Sequence, residues 1–478
     1  MSNHTDSPSD LTRRTLLRRT ATAGLLALPA AGLLSACVGS SDEPEAPTQY
    51  SGTVSAENPL GIATDKPVEI VIFDGGLGTK YATDVHVPSY QAKWPNSKIT
   101  FSSTQEVSTT LQPRFASNTP PDMVNNAGSK LMDMGALVGA GQVADLTDLF
   151  AAASLDIAGK TVKDTLVPGT VEAGTYNGKP YVLNYAYTVF GLWYSGKLFQ
   201  DNGWTAPTTW AEFDTLAGKM KAKGITPFSY AGANAAYYMY TVILTSAAKI
   251  GGPDVLKAID NLEPGAWTND AVKQAAKAWG EFAAKYGDKA HLGLKHTEVQ
   301  LLQNQYKVGF YPSGSWLENE QSKDTPAGFN YQVAALPSVT AADKLPATGL
   351  YAAAGEMYFA ASKGKHPQGG KEYLRHMLSK AGAKGFTELT KSLTVVQGAA
   401  EGLTLSPGLS SANTVLTAAG ANNFNFRFDA WYKDLDLEAR SATNELMFQG
   451  GDADKFVTRI QAAADKIKAD SSIPKFSR

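Results

Sequence analysis

Two periodicities of apolar and polar positions alternate along the chain. Val68-Glu69-Ile70-Val71-Ile72-Phe73 is a short β-rich run stopped by Asp74-Gly75-Gly76-Leu77-Gly78, which predicts a first strand and a loop. A helical pattern from about Tyr81 to Trp94 follows, then Lys98-Ile99-Thr100-Phe101 as a second strand and a helix across Val107 to Phe115. Pro120 to Asn126 reads as a third strand ending in amides. Strands alternating with helices imply a parallel sheet of α/β type. Ligands of open α/β sheets sit beyond the carboxyl ends of the strands, so the loops holding Asp74, Gln105 and Asn126 are expected to share one rim.

Further along, Thr209-Trp210-Ala211-Glu212 is a capping box, in which the Thr hydroxyl and the Glu carboxylate satisfy orphan helix donors reciprocally. The helix it opens should bury Phe213, Leu216 and Met220 and end near Lys223-Gly224. Helical stripes also run from about Asp270 to Ala284, with Val272, Ala275, Trp279 and Phe282, and from Asp454 to Ile467, with Phe456, Ile460, Ala463 and Ile467. Trp94, Trp210 and Trp279 fall in such stripes and are read as core.

Residues 1–36 break this pattern. A basic stretch around Arg13-Arg14 and Arg18-Arg19 precedes an apolar run from Ala21 to Leu34 and the small residues Ser35-Ala36, the layout of a secretory signal. The run is shorter than the ~20 residues a membrane-spanning helix needs. Thr12 to Arg18 resembles the twin-arginine export motif, with Leu16 where Phe is common. Leu34-Ser35-Ala36-Cys37 resembles a lipobox, in which the cysteine becomes the lipidated first residue of the mature protein. Cys37 is the single cysteine, so neither an internal disulfide nor a multi-cysteine metal site is available. Residues 37–66 are rich in Ser, Gly, Pro, Asp and Glu and read as a flexible tether reaching ~30 Å. The body should therefore work at the extracytoplasmic face of the membrane.

Composition narrows the function. With 43 Lys+Arg against 45 Asp+Glu the formal charge is −2, which gives no bias toward nucleic acid. A 43% hydrophobic, 18% charged chain is globular rather than disordered. Gly75 to Lys80 follows a strand but lacks the Gly-Lys-Ser/Thr order of a phosphate loop. No H-E-x-x-H or G-x-S-x-G occurs, and His291 and His296 read as solvated surface rather than a zinc site. Neither cofactor nor metal is expected. Two carboxylates from distant segments can still meet in a fold, which leaves a surface-anchored glycoside hydrolase as the alternative.

What stands out is aromatics and amides in turn-rich positions: Asn184-Tyr185-Ala186-Tyr187, Tyr230 to Asn234, Tyr237-Tyr238, Gly314-Ser315-Trp316, and Asn422 to Arg427 before Trp431. A sugar offers a C–H face to an aromatic ring and an edge of hydroxyls to amides, carboxylates or Arg, so this set suits a neutral carbohydrate. The segments Tyr176-Asn177-Gly178-Lys179-Pro180-Tyr181, Leu192 to Phe199, Pro207-Thr208-Thr209-Trp210 and Gly314-Ser315-Trp316 resemble the extracellular solute-binding lipoproteins of carbohydrate ABC transporters. Asn184 to Thr188, Ala258 to Pro264, Gly314 to Glu320 and Gly402 to Leu409 are similar to the actinobacterial N-acetylglucosamine/diacetylchitobiose-binding subgroup. The likeness runs from about Asn58 to Lys433.

That resemblance implies an α/β fold of the periplasmic-binding-protein-like class II, two α/β lobes with a ligand cleft between them. It implies residues 67–184 plus about 356–394 for the N-terminal lobe and 185–355 plus about 395–478 for the other, with passages near Asn184, Gly355 and Thr394. Asp74, Gln105 and Asn126 would meet the sugar from the first lobe and Asn234 and Tyr237 from the second. Trp316 matches a stacking tryptophan and Trp431 a later platform. Tyr185, Glu356 and Arg427 complete the implied site, the last two being open also to a structural ion pair. The implied function is that of a monomeric, non-catalytic receptor for N-acetylglucosamine or chitooligosaccharide. It would close by a hinge and deliver the sugar to membrane permeases. An adhesion or sensing lipoprotein would use the same cleft without an importer.

Overall fold

The protein is described by a computed structural model over residues 48–478 apart from Pro168; the expected leader, Cys37 and the start of the tether lie outside the described residues. Val68–Phe73 pairs in parallel with Ile99–Thr104 on one side and Met123–Asn126 on the other. The carboxyl ends of these three strands therefore share a rim, as the alternation of strand and helix implies. The expected helix over Tyr81 to Trp94 is split into a π-helical turn, Ala82–His86, and an α-helix, Val87–Lys93.

Two long segments connect this sheet to a second one. Leu350–Ala360 runs antiparallel to Met123–Asn126 and to Leu183–Val189. Leu393–Thr394 adds an antiparallel edge to Leu183–Val189, and Asn423–Phe424 pairs with the start of Leu350–Ala360. With only Phe190 between, Val189 is followed by Gly191–Ser195, a strand of a four-stranded sheet ordered Tyr331–Ala334, Gly191–Ser195, Val308–Ser313, Thr226–Phe228. Each sheet is the centre of one lobe.

Helices of the second lobe pack as their stripes require. The capping box at Thr209 and Glu212 is formed, and the helix Trp210–Ala222 buries Phe213, Leu216 and Met220. Asp270–Tyr286 lays Trp279 and Phe282 against it, with the Phe213 and Phe282 rings stacked at 4.4 Å. The Trp279 indole donates to Ser246 Oγ at 2.9 Å, which satisfies the polar group that ring carries into the core. Ala453–Ala469 buries Phe456, Ile460 and Ile467 on its inner face.

Two expectations need correction. The tether does not extend to Lys66, because the chain is bonded to the first lobe at Gln49 and Tyr50 and buried on it again at Asn58, Leu60 and Ile62. Gln49 Nε2 donates to the carbonyls of Ser362 and Gly364, Tyr50 N donates to Lys365 O, and Leu60 and Ile62 are buried with Ile70, Tyr373 and Leu374. The short apolar group Leu60-Gly61-Ile62-Ala63 has no period of its own, so only its landing place reveals it as core. His291 is likewise not solvated: it is buried and shares a hydrogen bond with Ser229, and burial lowers its pKa.

Candidate functional site

A cavity of about 210 Å³ lies where the two lobes meet. Its walls come from the connecting strands, through Asn184, Thr188, Phe190, Tyr351 and Gly355 to Met357, and from the segment Asn425–Trp431. Tyr237 and Trp316 close it from the second lobe. Asn184 and Thr188 share one face of their strand, as residues spaced by an even number must.

The parity that brings Asn184 into the cavity turns Tyr185 away from it. Tyr185 lies in the first lobe's core, where its hydroxyl donates to Met377 O at 2.7 Å and its ring meets Phe386 edge-on. Asn126 is also fully buried: its amide donates to Met132 O at 3.0 Å and its Oδ1 accepts from Met132 N at 2.8 Å, clamping the loop after the strand. Asn234 donates to His296 Nδ1 at 2.8 Å and accepts from His296 N at 2.9 Å, tying its loop to the helix His296–Asn304. Asp74 and Gln105 are exposed on the rim. None of these five lines the cavity.

The other five expected residues do line it: Tyr237, Trp316, Glu356, Arg427 and Trp431. Trp316 follows Val308–Ser313, and a Cβ on Gly314 would fall 2.1 Å from its indole, so only glycine lets the ring fold back there. Phe190 presents its edge to the Trp316 ring at 5.2 Å, and Tyr238 sits 5.8 Å away. Tyr237 is held beneath the Arg440 guanidinium, 4.8 Å from its ring.

Glu356 interrupts its strand with φ of 58°, a left-handed conformation unusual for a non-glycine residue. The kink carries its carboxyl to Asn125, whose Nδ2 donates to Oε1 at 3.1 Å. Burial pushes the Glu356 pKa up to about 7, against the pull of the Asn125 hydrogen bond. Glu356 and Arg427 form no ion pair; Arg427 Nη1 instead donates to the carbonyl of Glu172 at 3.0 Å. The pattern of aromatics and amides did not single out Asp429, whose pKa burial raises to about 7, with Asp436 and Asp260 adding to the rise. Asn184, Phe190, Tyr351 and Asn425 were also missed as site residues, although Asn184 and Asn425 lie in amide-rich segments already conspicuous in the sequence. The wall is thus aromatic with amide, carboxyl and guanidinium groups among the rings, which can stack a pyranose face and exchange hydrogen bonds with its hydroxyls.

Residues 79–384 match the family described as bacterial extracellular solute-binding protein. The chain belongs to that family. It is 38% identical over 474 residues to the diacetylchitobiose binding protein NgcE of Streptomyces coelicolor, covering 97% of this chain and 98% of that one. Among solved structures, a chitin oligosaccharide binding protein superposes with a TM-score of 0.69 at 20% identity, covering 84% of this chain and 100% of the other. The apo form of RafE from Streptococcus pneumoniae gives 0.64 at 19% identity, covering 85% and 99%. The fold is accordingly the class II binding-protein fold, two α/β lobes with a ligand cleft between them, and the protein works outside the cytoplasm as a binding protein rather than an enzyme.

Proposed function

We propose that this protein is the substrate-binding component of an ABC importer for N-acetylglucosamine and/or chitobiose. The observation that carries the reading is the inter-lobe cavity, in which Trp316, Tyr237, Phe190 and Trp431 stand among Asn184, Glu356, Arg427 and Asp429. The 38% identity to a diacetylchitobiose binding protein over nearly the whole chain supports the choice of sugar. Tyr237, Trp316, Glu356, Arg427 and Trp431 are the residues we assign to the ligand, joined by Asn184, Tyr351 and Asp429. Asp74 and Gln105 are left as rim residues that hinge closure could bring to the sugar.

The lobe limits implied by the resemblance, 67–184 with about 356–394 and 185–355 with about 395–478, need shifting by a few residues, since Tyr185, Ala186, Val395 and Val396 pack in the first lobe's core. Cys37 is taken as the lipidation site that holds the receptor, as a monomer, beside its permeases. Calorimetry with the protein from Ser40 onward tests the sugar, using N-acetylglucosamine, diacetylchitobiose, cellobiose, maltose and xylobiose, with each sugar examined afterwards for cleavage. Binding confined to the N-acetylated sugars, which stay intact, is expected. Failure to bind them would remove the ligand assignment, and cleavage would revive the hydrolase.

A further inference from the structure

The cavity segment Asn425–Trp431 hangs on a buried carboxylate that does not itself line the cavity. Asp260 ends the helix Asp254–Asp260 and is 0% exposed. Its Oδ1 accepts from two consecutive backbone amides, Arg427 N at 2.7 Å and Phe428 N at 2.8 Å. Those bonds set where the Arg427, Asp429 and Trp431 side chains enter the wall. A carboxylate with no exposure needs a compensating cation, or it takes up a proton and loses its hold as a charged acceptor.

That cation is Arg478. Its Nε lies 2.7 Å from Asp260 Oδ2, a charge contact whose geometry is off the axis of a hydrogen bond. The rest of the guanidinium forks onto the same cavity segment: Nη1 donates to Asn425 Oδ1 at 3.0 Å and Nη2 to Asn425 O at 2.7 Å. Asn261 completes the clamp, accepting from Arg478 N at 3.0 Å and donating to Arg478 O at 3.2 Å. Arg427, Asp429, Tyr351 and Tyr432 are the other ionisable groups around Asp260. Burial lifts the Asp260 pKa to about 6, and Arg478 is the largest of the influences that hold it down.

We propose that Arg478 is a positioning residue for ligand binding: by compensating Asp260 and gripping Asn425 it fixes the segment that carries Arg427, Asp429 and Trp431. The consequence for sugar rests on the function proposed above; the consequence for the segment does not. A point charge at this position keeps Asp260 ionised, whereas the fork to Asn425 needs the planar guanidinium.

The test uses the full-length chain in mild detergent, as wild type, Arg478→Ala, Arg478→Lys, Asp260→Asn and the double variant. Amide hydrogen exchange without sugar should speed up roughly tenfold or more at Arg427 and Phe428 in Arg478→Ala, while the helices Ala236–Gly251 and Asp270–Tyr286 keep their protection. Diacetylchitobiose binding should weaken by about tenfold in the same variant and recover most of that loss in Arg478→Lys. The double variant should be weaker than Asp260→Asn by less than the full Arg478→Ala loss, because the compensation of Asp260 is already gone and only the grip on Asn425 is lost anew. Unchanged exchange at the two amides overturns the proposal, as do additive losses in the double variant or exchange that rises equally throughout the chain. Should the wild type bind no N-acetylated sugar, the functional reading fails, and the two amides alone decide whether Arg478 holds the segment.

Discussion

The side-chain amide of Asn319 donates to the backbone carbonyl of Gly76 at 2.6 Å, joining the second lobe to the loop that follows the first strand. Beside it, a Cβ on Gly76 would stand 3.0 Å from the Trp316 ring and 3.2 Å from Glu320 Oε1. Arg427, which lines the cavity, makes a second such link, to the carbonyl of Glu172. Side chains of the second lobe thus hold backbone carbonyls of the first at two separate points.

Asn319→Ala removes one of these links at a cost of about 0.5–1.5 kcal/mol, enough to shift an open–closed equilibrium several-fold. Spin labels placed on the two lobes should report a longer mean separation without sugar. An unchanged separation would show that the bond does not hold the lobes together.

Trp316→Ala should weaken sugar binding by about 2–4 kcal/mol, as expected of a stacking anchor. The ring is only partly buried, so thermal unfolding should move little. Calorimetry and a melting curve on the same sample separate the two effects, and a large fall in melting temperature would return Trp316 to the core.

Glu356 makes stability depend on pH. Its folded pKa, about 7, lies above the ordinary glutamate value, so the folded state binds the proton more tightly than the unfolded chain. The resulting stabilisation is complete below the unfolded pKa, near 4.3, and is lost as pH rises toward about 7. Urea unfolding at both ends of that window should show a shallower decline for Glu356→Gln, by up to ~3 kcal/mol. Asp429→Asn should flatten the remaining slope in the same sense, since its pKa is also raised to about 7.

The packing of residues 49–63 also sets a limit on truncation. Leu60 and Ile62 are 2% and 1% exposed, and full burial of each such side chain contributes roughly 1.5–3 kcal/mol. A protein starting at Pro67 should unfold at distinctly lower urea than one starting at Thr48. Equal midpoints would show that the segment contributes nothing to the lobe.

The anchor is tested at Cys37. Labelling with a tagged fatty acid should mark the wild type and not Cys37→Ser, and the variant should leave the membrane fraction. Retention of the label in the variant would disprove the lipobox assignment.

Strand and helix periodicity made much of the scaffold legible: Val68–Phe73, the capping box at Thr209 and the Trp279 stripe all form where the pattern puts them, because each depends on neighbours within a turn or a pleat. The site was legible only in part. Tyr185 and Asn184 lie next to each other in one strand buried on both faces, so nothing in the sequence says which of them meets the ligand. Asn126 ends the expected strand, yet its amide is engaged by Met132. Asp429 sits between Phe428 and Ala430 with no motif around it, and becomes a cavity residue only because Asp260, far back in the chain, fixes that segment.

By itself, then, the sequence determined the local elements and, through its resemblance, the class of protein, and it set the expectation of a leader ending at the single cysteine. Tertiary structure decided which side chains face the cavity, where the tether ends and what holds the wall. The physical reason is range: helical stripes and caps act over three or four residues, whereas the contacts Asn319–Gly76, Glu356–Asn125 and Arg478–Asp260 join positions hundreds of residues apart that no local pattern connects.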